Sequence, residues 1–232
     1  MGHRRAGRWH RAILLGGHPG CPHLEHRPPP GLTFNGSNAF VSLGDPDALD
    51  FIGPITIEAW VKPLATDGLR NIVARDSSTN PPGAVFLRIW DGKYQIGSWN
   101  GLDHLVAAPV PPEDLDKWVH LAGVYDGIQW SLYRNGEKVA SSMDSIGAVP
   151  ANVRWAIGAQ SDGADRYFKG SIRDVRIWLI ARTPEELRAG MGQPLSGQED
   201  GLAGYWPMNE GQSTTLRDLA GRNTGSLRNG LW

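Results

Sequence analysis

FKGSIRDVRIWLIARTPEELR, residues 168–188, is the stretch of sequence that decides the fold. Its first part is rich in β-branched and aromatic residues, which favour an extended strand. Its second part carries helix-start signals: Thr183 suits the N-cap, Pro184 suits the first helical position, and two acids follow where the helix dipole favours them. The stretch contains no obvious catalytic group. It predicts a core strand that ends in one short helix near residues 184–190.

Short strands separated by turns account for most of the sequence around this stretch. In PITIEAWVK, residues 54–62, apolar side chains alternate with Thr56, Glu58 and Trp60, which is typical of a sheet with one side against the core. Further strands are joined by turn dipeptides at Asp91-Gly92, Asp126-Gly127 and Asn135-Gly136. At least eight strands with no repeated βα alternation predict an all-β fold, with two antiparallel sheets packed face to face, or a barrel.

The predicted hairpin over residues 84–99 has one polar and aromatic face. If Trp90 pairs with Lys93, the side chains of Arg88 and Gln95 lie between Trp90 and Trp99 on the face opposite the core. This grouping suits a sugar, because an indole stacks on a pyranose while guanidinium and amide groups reach its hydroxyls. The alternative is that this face packs beneath a loop or against the other sheet.

Two loops add hydrogen-bonding side chains to this candidate site, residues 100–104 and 161–167, because the loops at a sandwich end are a common place for recognition. They are equally consistent with ordinary solvated turns. The candidate ligand-binding residues are Arg88, Trp90, Gln95, Trp99, Asn100, Asp103 and Tyr167.

Composition and charge exclude several other classes of protein. Ten Trp, 30 Gly and 17 Pro in 232 residues indicate a folded chain with many turns. Residues 31–232 carry 18 basic and 23 acidic side chains, so no basic face points to nucleic acid. Cys21 is the only cysteine, which excludes an intrachain disulfide, and no apolar run approaches the length of a membrane span.

Residues 1–30 differ in composition from the rest of the chain. They carry five Arg, one Glu and five of the seven His, with Pro and Gly throughout. The apolar run of residues 12–15 is too short for a signal peptide. We interpret residues 1–30 as a disordered or non-native basic tail, and residues 31–232 as one domain.

Six blocks of sequence, in order, resemble one known family. The blocks are LTFNGSNAFVSLGDP, ITIEAWVKP, KWVHLAGVYDG, LYRNGEKVAS, FKGSIRDVRIWLIARTPEEL and GLAGYWPMNEGQSTTLRDLAGRNTGSL. Together they are similar to the bacterial laminin-G-like domain, a concanavalin A-like jelly roll. The resemblance implies two curved antiparallel sheets. It also implies a module of a larger extracellular or bacterial cell-surface protein whose partner is a glycan or another surface protein.

The resemblance leaves open whether the domain is a lectin or an enzyme, because this fold carries both. Laminarinase-like members place Glu-x-Asp-x-x-Glu along one strand, and retaining glycosidases need two carboxylates about 5 Å apart. This chain has no such motif. We expect a non-catalytic carbohydrate-binding module. A structural or adhesion domain without a small ligand is the alternative, and a glycoside hydrolase ranks third.

The resemblance also implies a structural calcium ion that ties the first loop to the last core strand. Asn35 and Gly36 would supply the loop, and Asp174 would supply a carboxylate. Many relatives have Ile-Asp where this chain has Ile172-Arg173, and a guanidinium at that position would repel a cation. Asp174 replaces the missing acid only if the strand bulges by one residue.

Overall fold

The computed structural model describes residues 31–50, 52–76, 84–148, 153–221 and 223–232. The prediction for residues 1–30 lies outside them. The strands within these residues are β1 (Leu32–Asn35), β2 (Phe40–Gly44), β3 (Ile55–Pro63), β4 (Leu69–Asp76), β5 (Ala84–Trp90), β6 (Lys93–Trp99), β7 (Asp103–Pro109), β8 (Val119–Tyr125), β9 (Gln129–Arg134), β10 (Glu137–Met143), β11 (Trp155–Ile157), β12 (Lys169–Trp178), β13 (Leu202–Trp206), β14 (Thr215–Leu216) and β15 (Gly225–Arg228). Short 3-10 turns occupy Asp47–Leu49, Pro112–Asp114 and Ser161–Gly163, and the helix α1 occupies Pro184–Gly190.

These strands form two antiparallel sheets. The seven-stranded sheet has the order β1-β12-β3-β8-β9-β10, with β13 paired to β12 beyond the end of β1. The eight-stranded sheet has the order β14-β15-β2-β11-β4-β5-β6-β7. The predicted all-β sandwich with one short helix is confirmed. No helix in the described part of the chain has the length and apolar character needed to cross a membrane.

The core lies between the two sheets and follows the predicted alternation. From β3, Ile55, Ile57, Ala59 and Val61 are fully buried in it. From the β5–β6 hairpin, the buried side chains are Val85, Leu87, Ile89, Tyr94 and Ile96. Each Val, Leu or Ile side chain removed from water in this layer contributes roughly 1.5–3 kcal/mol of favourable transfer free energy.

A β-bulge in β12 sets which of its side chains face outward. Arg173 pairs with Trp60 and Arg176 pairs with Glu58, so three steps along β12 match two steps along β3. The extra residue is Asp174, whose φ is 50°. Because the period of a strand is two, this insertion keeps both Arg173 and Arg176 on the outer face. Asp174 could replace the missing calcium-binding acid only if the strand bulged by one residue, and this bulge is present.

The helix α1 begins with a capping box, as the Thr183-Pro184 signal predicts. The Thr183 hydroxyl accepts a hydrogen bond from the Glu186 N–H, and the Glu186 carboxylate accepts one from the Thr183 N–H at 2.8 Å. These bonds satisfy two of the four N–H groups that a helix start leaves open.

The chain around α1 covers the outer face of β3. The Thr56 hydroxyl donates to the Ile180 carbonyl at 2.8 Å, and the Trp60 indole N–H donates to the Met191 carbonyl at 2.6 Å. Thr56 and Glu58 are therefore buried. The prediction that one side of this strand faces the core is confirmed, while the alternation did not show that another segment lies over the polar side.

Glu58 is the centre of a buried polar cluster beneath this segment. The Trp178 indole N–H donates to Glu58 Oε1 at 2.7 Å, and His120 Nε2 lies 2.9 Å from Glu58 Oε2. Arg176 Nη1 lies 3.7 Å from Glu58 Oε1. Burial alone would raise the pKa of Glu58, but the hydrogen bond with His120 and the charges of His120 and Arg176 hold this pKa below its ordinary value.

Both ends of the described body meet at one edge of the seven-stranded sheet. Thr33 and Leu231 form an antiparallel bridge in which the Thr33 N–H donates to the Leu231 carbonyl at 2.6 Å and the Leu231 N–H donates to the Thr33 carbonyl at 3.1 Å. Residues 31–33 and 231–232 therefore lie side by side.

Candidate functional site

A concave cavity of about 350 Å³ opens on the outer face of the eight-stranded sheet. We call it the aromatic cavity. Its lining residues are Leu69, Ala84, Phe86, Arg88, Trp90, Trp99, Asp103 and Arg166. Strands β4 to β7 supply all of them except Arg166, so most of the site rests on the rigid sheet.

The turn at Asp91-Gly92 fixes which side chains enter the cavity. Both turn residues have positive φ, 43° and 75°, as a two-residue hairpin turn requires. Trp90 pairs with Lys93 and Arg88 pairs with Gln95, which is the register that the sequence predicts. Arg88, Trp90 and Gln95 therefore share the face away from the core.

Arg88 forms a nearly buried positive floor in the cavity. Its guanidinium carbon lies 3.6 Å from the centre of the Phe86 ring and 5.1 Å from the centre of the Trp90 ring. Its Nε donates a hydrogen bond to Gln95 Oε1 at 2.8 Å, which fixes the guanidinium plane. Burial, followed by the charge of Arg166, lowers the pKa of Arg88 to about 10, so the side chain stays protonated at neutral pH.

The two indoles differ in how firmly they are held. Trp90 is 38% exposed at the end of β5. Trp99 is half-buried and packs with Leu105 against the small cluster of Ala74, Ala84 and Phe86. Trp90 therefore offers accessible aromatic surface, while Trp99 is anchored by contacts with the sheet.

Arg166 closes one wall of the cavity and was not among the residues predicted from sequence. Its Nη1 donates to Asp76, whose carboxylate is fully buried and also accepts from Asn71 Nδ2 at 3.0 Å. The sequence of residues 161–167 indicates a polar loop but does not indicate which side chain turns inward. The positive φ of Arg166, 61°, accompanies this inward turn.

The structure brings together four of the seven predicted ligand-binding residues, Arg88, Trp90, Trp99 and Asp103, in one cavity. Gln95 lies beneath them and holds Arg88.

Asn100 and Tyr167 do not line the aromatic cavity. Asn100 Oδ1 accepts from the Leu102 N–H at 3.3 Å and lies 2.9 Å from His104 Nε2, so this side chain closes its own turn. The Tyr167 hydroxyl donates to the Gly163 carbonyl within its loop. For these two residues, local side-chain to backbone bonds prevail over a role in the cavity.

The residues predicted to bind calcium do not come together. Asn35 pairs with Lys169 on β12, five residues from Asp174, which is roughly 17 Å along a strand. Asn35 Oδ1 already accepts from three backbone N–H groups, of Ser37, Asn38 and Ala39.

The surroundings of Gly36 and Asp174 agree with this separation. A Cβ on Gly36 would lie 2.9 Å from the Lys169 Cβ, so a lysine stem covers this turn. Asp174 Oδ1 instead accepts a hydrogen bond from the Tyr205 hydroxyl at 3.1 Å. Asn35, Gly36 and Asp174 thus do not fit one calcium ion, and no group of three or more His, Cys, Asp or Glu in the described residues is arranged to hold a metal.

Comparisons with known proteins agree with this architecture. Over 78 residues the chain is 35% identical to pappalysin-1 of Mus musculus, a match that covers 32% of this chain and 5% of that protein. The chain thus spans a small part of the curated relative. Among solved structures, a candidate carbohydrate-binding protein from Bacteroides ovatus is similar, with a TM-score of 0.69 and 23% identity over 86% of this chain and 58% of that one.

The CBM40 module of the Ruminococcus gnavus IT-sialidase is also similar, with a TM-score of 0.58 and 17% identity over 70% of this chain and 97% of that one. Identities this low show a shared fold. The decisive match is to a family model described as the concanavalin A-like lectin/glucanases superfamily, which spans residues 35–188, well over half of the sequence. Since that model spans the strands from β2 to β12, which come from both sheets, the chain belongs to the concanavalin A-like lectin/glucanases superfamily, in its laminin-G-like family.

Proposed function

We propose that the chain is a non-catalytic carbohydrate-binding module and that the aromatic cavity is its sugar site. The observation that carries the proposal is a partly exposed Trp90 beside Arg88, whose guanidinium is fixed by Gln95. An indole supplies the surface on which the apolar face of a pyranose stacks, and a fixed guanidinium donates to neighbouring hydroxyls. A volume of about 350 Å³ is within the range of small-molecule sites.

The lining of the aromatic cavity offers both hydrogen-bond donors and hydrogen-bond acceptors. Arg88 and Arg166 supply donors, and Asp103 supplies a carboxylate acceptor. A sugar hydroxyl is both donor and acceptor, so this combination matches it better than it matches a purely apolar ligand. The similar folds of a candidate carbohydrate-binding protein and of a CBM40 module support the proposal without identifying the sugar.

The acids near the cavity favour binding over hydrolysis. Asp76 is fully buried and forms an ion pair with Arg166, so it does not present a carboxylate to a ligand. Among the lining residues that the structure describes, Asp103 is then the one carboxylate. Glycoside hydrolysis in its usual form needs two cooperating carboxyl groups.

In this proposal the chain is one module of a larger extracellular or bacterial cell-surface protein. An open cavity on a sheet surface buries only part of a sugar, so a single site binds weakly. Useful avidity then comes from several modules or from a multivalent glycan.

A glycan array followed by calorimetric titration of the strongest glycan tests this function. Trp90→Ala should weaken binding about tenfold, because lost stacking of ~1.4 kcal/mol is a factor of ten in Kd. Trp90 is partly exposed, so this change should leave the melting temperature nearly unchanged. Ile128→Ala, at a residue 61% exposed and outside the cavity, is the matched control and should bind like the unaltered chain.

Two results would count against the proposal. One is an array without signal for the unaltered chain, which would favour the structural or adhesion role. The other is unchanged glycan affinity in Trp90→Ala, which would place the sugar elsewhere on the molecule.

A further inference from the structure

A second pocket lies on the opposite face of the sandwich, on the outer surface of the seven-stranded sheet. Its volume is about 520 Å³. We call it the arginine pocket, and the lining residues that matter here are Trp60, Arg173, Asp174, Gln193, Tyr205 and Asn209. None of them was predicted as ligand-binding, although Asp174 was considered as a calcium ligand.

Arg173 is held in the arginine pocket by two indoles. Its guanidinium carbon lies 5.2 Å from the centre of the Trp60 ring and 4.8 Å from the centre of the Trp118 ring. The residue is only 8% exposed. Burial lowers the pKa of Arg173, an effect that the nearby Asp174 carboxylate opposes. These cation–π contacts restrict the guanidinium and leave its N–H groups as the polar part of the side chain.

The buried Arg173 guanidinium has a nitrogen without a hydrogen-bond acceptor among the described residues. Its Nε is buried and has no hydrogen-bond acceptor among the residues that the structure describes. The nearest carboxylate oxygen, Asp174 Oδ2, lies 3.8 Å from Nη1, which is too long for a hydrogen bond. Asp174 Oδ1 already accepts from the Tyr205 hydroxyl.

The neighbouring Arg176 also has a buried Nε without an acceptor among the described residues, but its Nη groups, unlike those of Arg173, are used by the protein. Its two Nη groups donate to the Gly190 carbonyl at 3.0 Å and to the Gln193 carbonyl at 2.7 Å. Arg176 therefore anchors residues 190–193 over the sheet, whereas no residue that the structure describes uses the donor edge of Arg173. A buried donor without an acceptor is destabilising, and a ligand that supplies the acceptor removes this penalty.

A planar carboxylate is the group that fits a fixed guanidinium edge, because the two form parallel bidentate hydrogen bonds. Around Arg173, the Asp174 carboxylate and the amides of Gln193 and Asn209 line the same pocket, and such acceptors and donors suit hydroxyl groups. We propose that the arginine pocket is a second ligand site, which binds the carboxylate of an acidic sugar through Arg173. The proposal does not rest on the aromatic cavity, since the two sites are on different sheets.

The test compares two ligands that differ only at the carboxylate, D-glucuronate and D-glucose. Each is titrated into the complete chain at low salt while the indole N–H signals of Trp60 and Trp118 are followed by NMR. We expect glucuronate to shift both signals saturably, with at least about tenfold higher affinity than glucose, as expected for a charge-assisted bidentate contact. Equal affinities, or no saturable shift with glucuronate, would overturn the proposal.

Three variants separate binding from a structural role of Arg173. Arg173→Gln should lower glucuronate affinity about tenfold, and Arg173→Lys should lower it several-fold because an ammonium lacks the bidentate edge. Asp174→Asn removes the carboxylate that competes for Arg173 and should raise glucuronate affinity a few-fold without raising glucose affinity. If Arg173 had only a structural role, Asp174→Asn would not raise glucuronate affinity. This variant therefore tests the proposal even if the Arg173 variants fold poorly.

The Trp90→Ala variant distinguishes the two sites. It should leave the glucuronate titration unchanged. If Trp90→Ala abolishes glucuronate binding and Arg173→Gln does not, the acidic sugar occupies the aromatic cavity and this second site is wrong, while the proposed sugar-binding function stands.

Discussion

At the scale of single residues, Glu58 shows how a buried charge becomes a source of pH dependence. Its carboxylate is 2% exposed and is surrounded by His120, Trp178 and Arg176. Because these partners favour the ionised form, the pKa of Glu58 is lower in the folded chain than its ordinary value of 4.5. The stabilisation is therefore fully present above pH 4.5 and is lost as the pH falls through the folded-state value.

Glu58→Gln should lower the free energy of unfolding at pH 7 by about 3 kcal/mol, since it removes the counter-charge of a buried Arg176. The free energy of unfolding of this variant should also fall less steeply as the pH is lowered below 4.5. Urea denaturation between pH 3 and pH 7 measures both effects. Glu137→Gln, at an exposed carboxylate on the same sheet, is the control and should change neither. An unchanged acid-side slope in Glu58→Gln would show that other carboxyl groups control acid unfolding.

Residue positions could be predicted from sequence where the information is local. The register Trp90↔Lys93 follows from the Asp91-Gly92 turn, so the faces of Arg88 and Gln95 follow as well. Arg166 could not be predicted, because it enters the aromatic cavity from a loop 78 positions away from Arg88 in sequence. Its partner Asp76 is on β4, which is a spatial neighbour only after the sheet forms.

At the scale of elements, the helix start and the bulge differ in how visible they are in the sequence. Thr183-Pro184-Glu185-Glu186 contains every part of the capping box that the structure shows. The bulge at Asp174 has no such signature, and only the paired strand reveals that Arg173 and Arg176 share a face. The arginine pocket therefore could not be found from the sequence of β12 alone.

Thr183→Ala should lower the free energy of unfolding by about 1 kcal/mol, because the Glu186 N–H loses its side-chain acceptor at the start of α1. Thr183→Ser keeps an acceptor oxygen and should stay close to the unaltered chain. Chemical denaturation of the three proteins in parallel measures the difference. Equal losses in both variants would show that contacts of the Thr183 methyl group, and not the cap, are responsible.

At the scale of the whole molecule, the resemblance predicted the two sheets correctly, whereas the residues that it implied as calcium ligands lie apart. The sheets depend on alternation over many strands, which tolerates local changes. A metal site depends on a few oxygens at exact positions, and the register that pairs Asn35 with Lys169 separates them from Asp174.

The melting temperature should consequently be the same in excess EDTA and in millimolar calcium. Calcium bound at a hundred times its Kd would raise the free energy of unfolding by about 2.7 kcal/mol, and we expect no stabilisation of that size. Differential scanning calorimetry of the complete chain provides the measurement. A clear increase in melting temperature with calcium would mean that oxygens other than those of Asn35, Gly36 and Asp174 form a site.

The Thr33–Leu231 bridge has a consequence for chain connectivity. Because Thr33 and Leu231 already pair antiparallel, a short link of two residues can join residue 232 to residue 31 and, together with Gly31, form a three-residue hairpin loop. A circular permutant of residues 31–232, reopened in the exposed turn between Asp126 and Gly127, should fold and melt within about 10 °C of the unpermuted segment. Failure to fold would show that the β8–β9 connection is needed to start assembly. Because its two ends lie next to each other, the domain can likewise be inserted into a surface turn of a host protein without separating the strands that flank this turn.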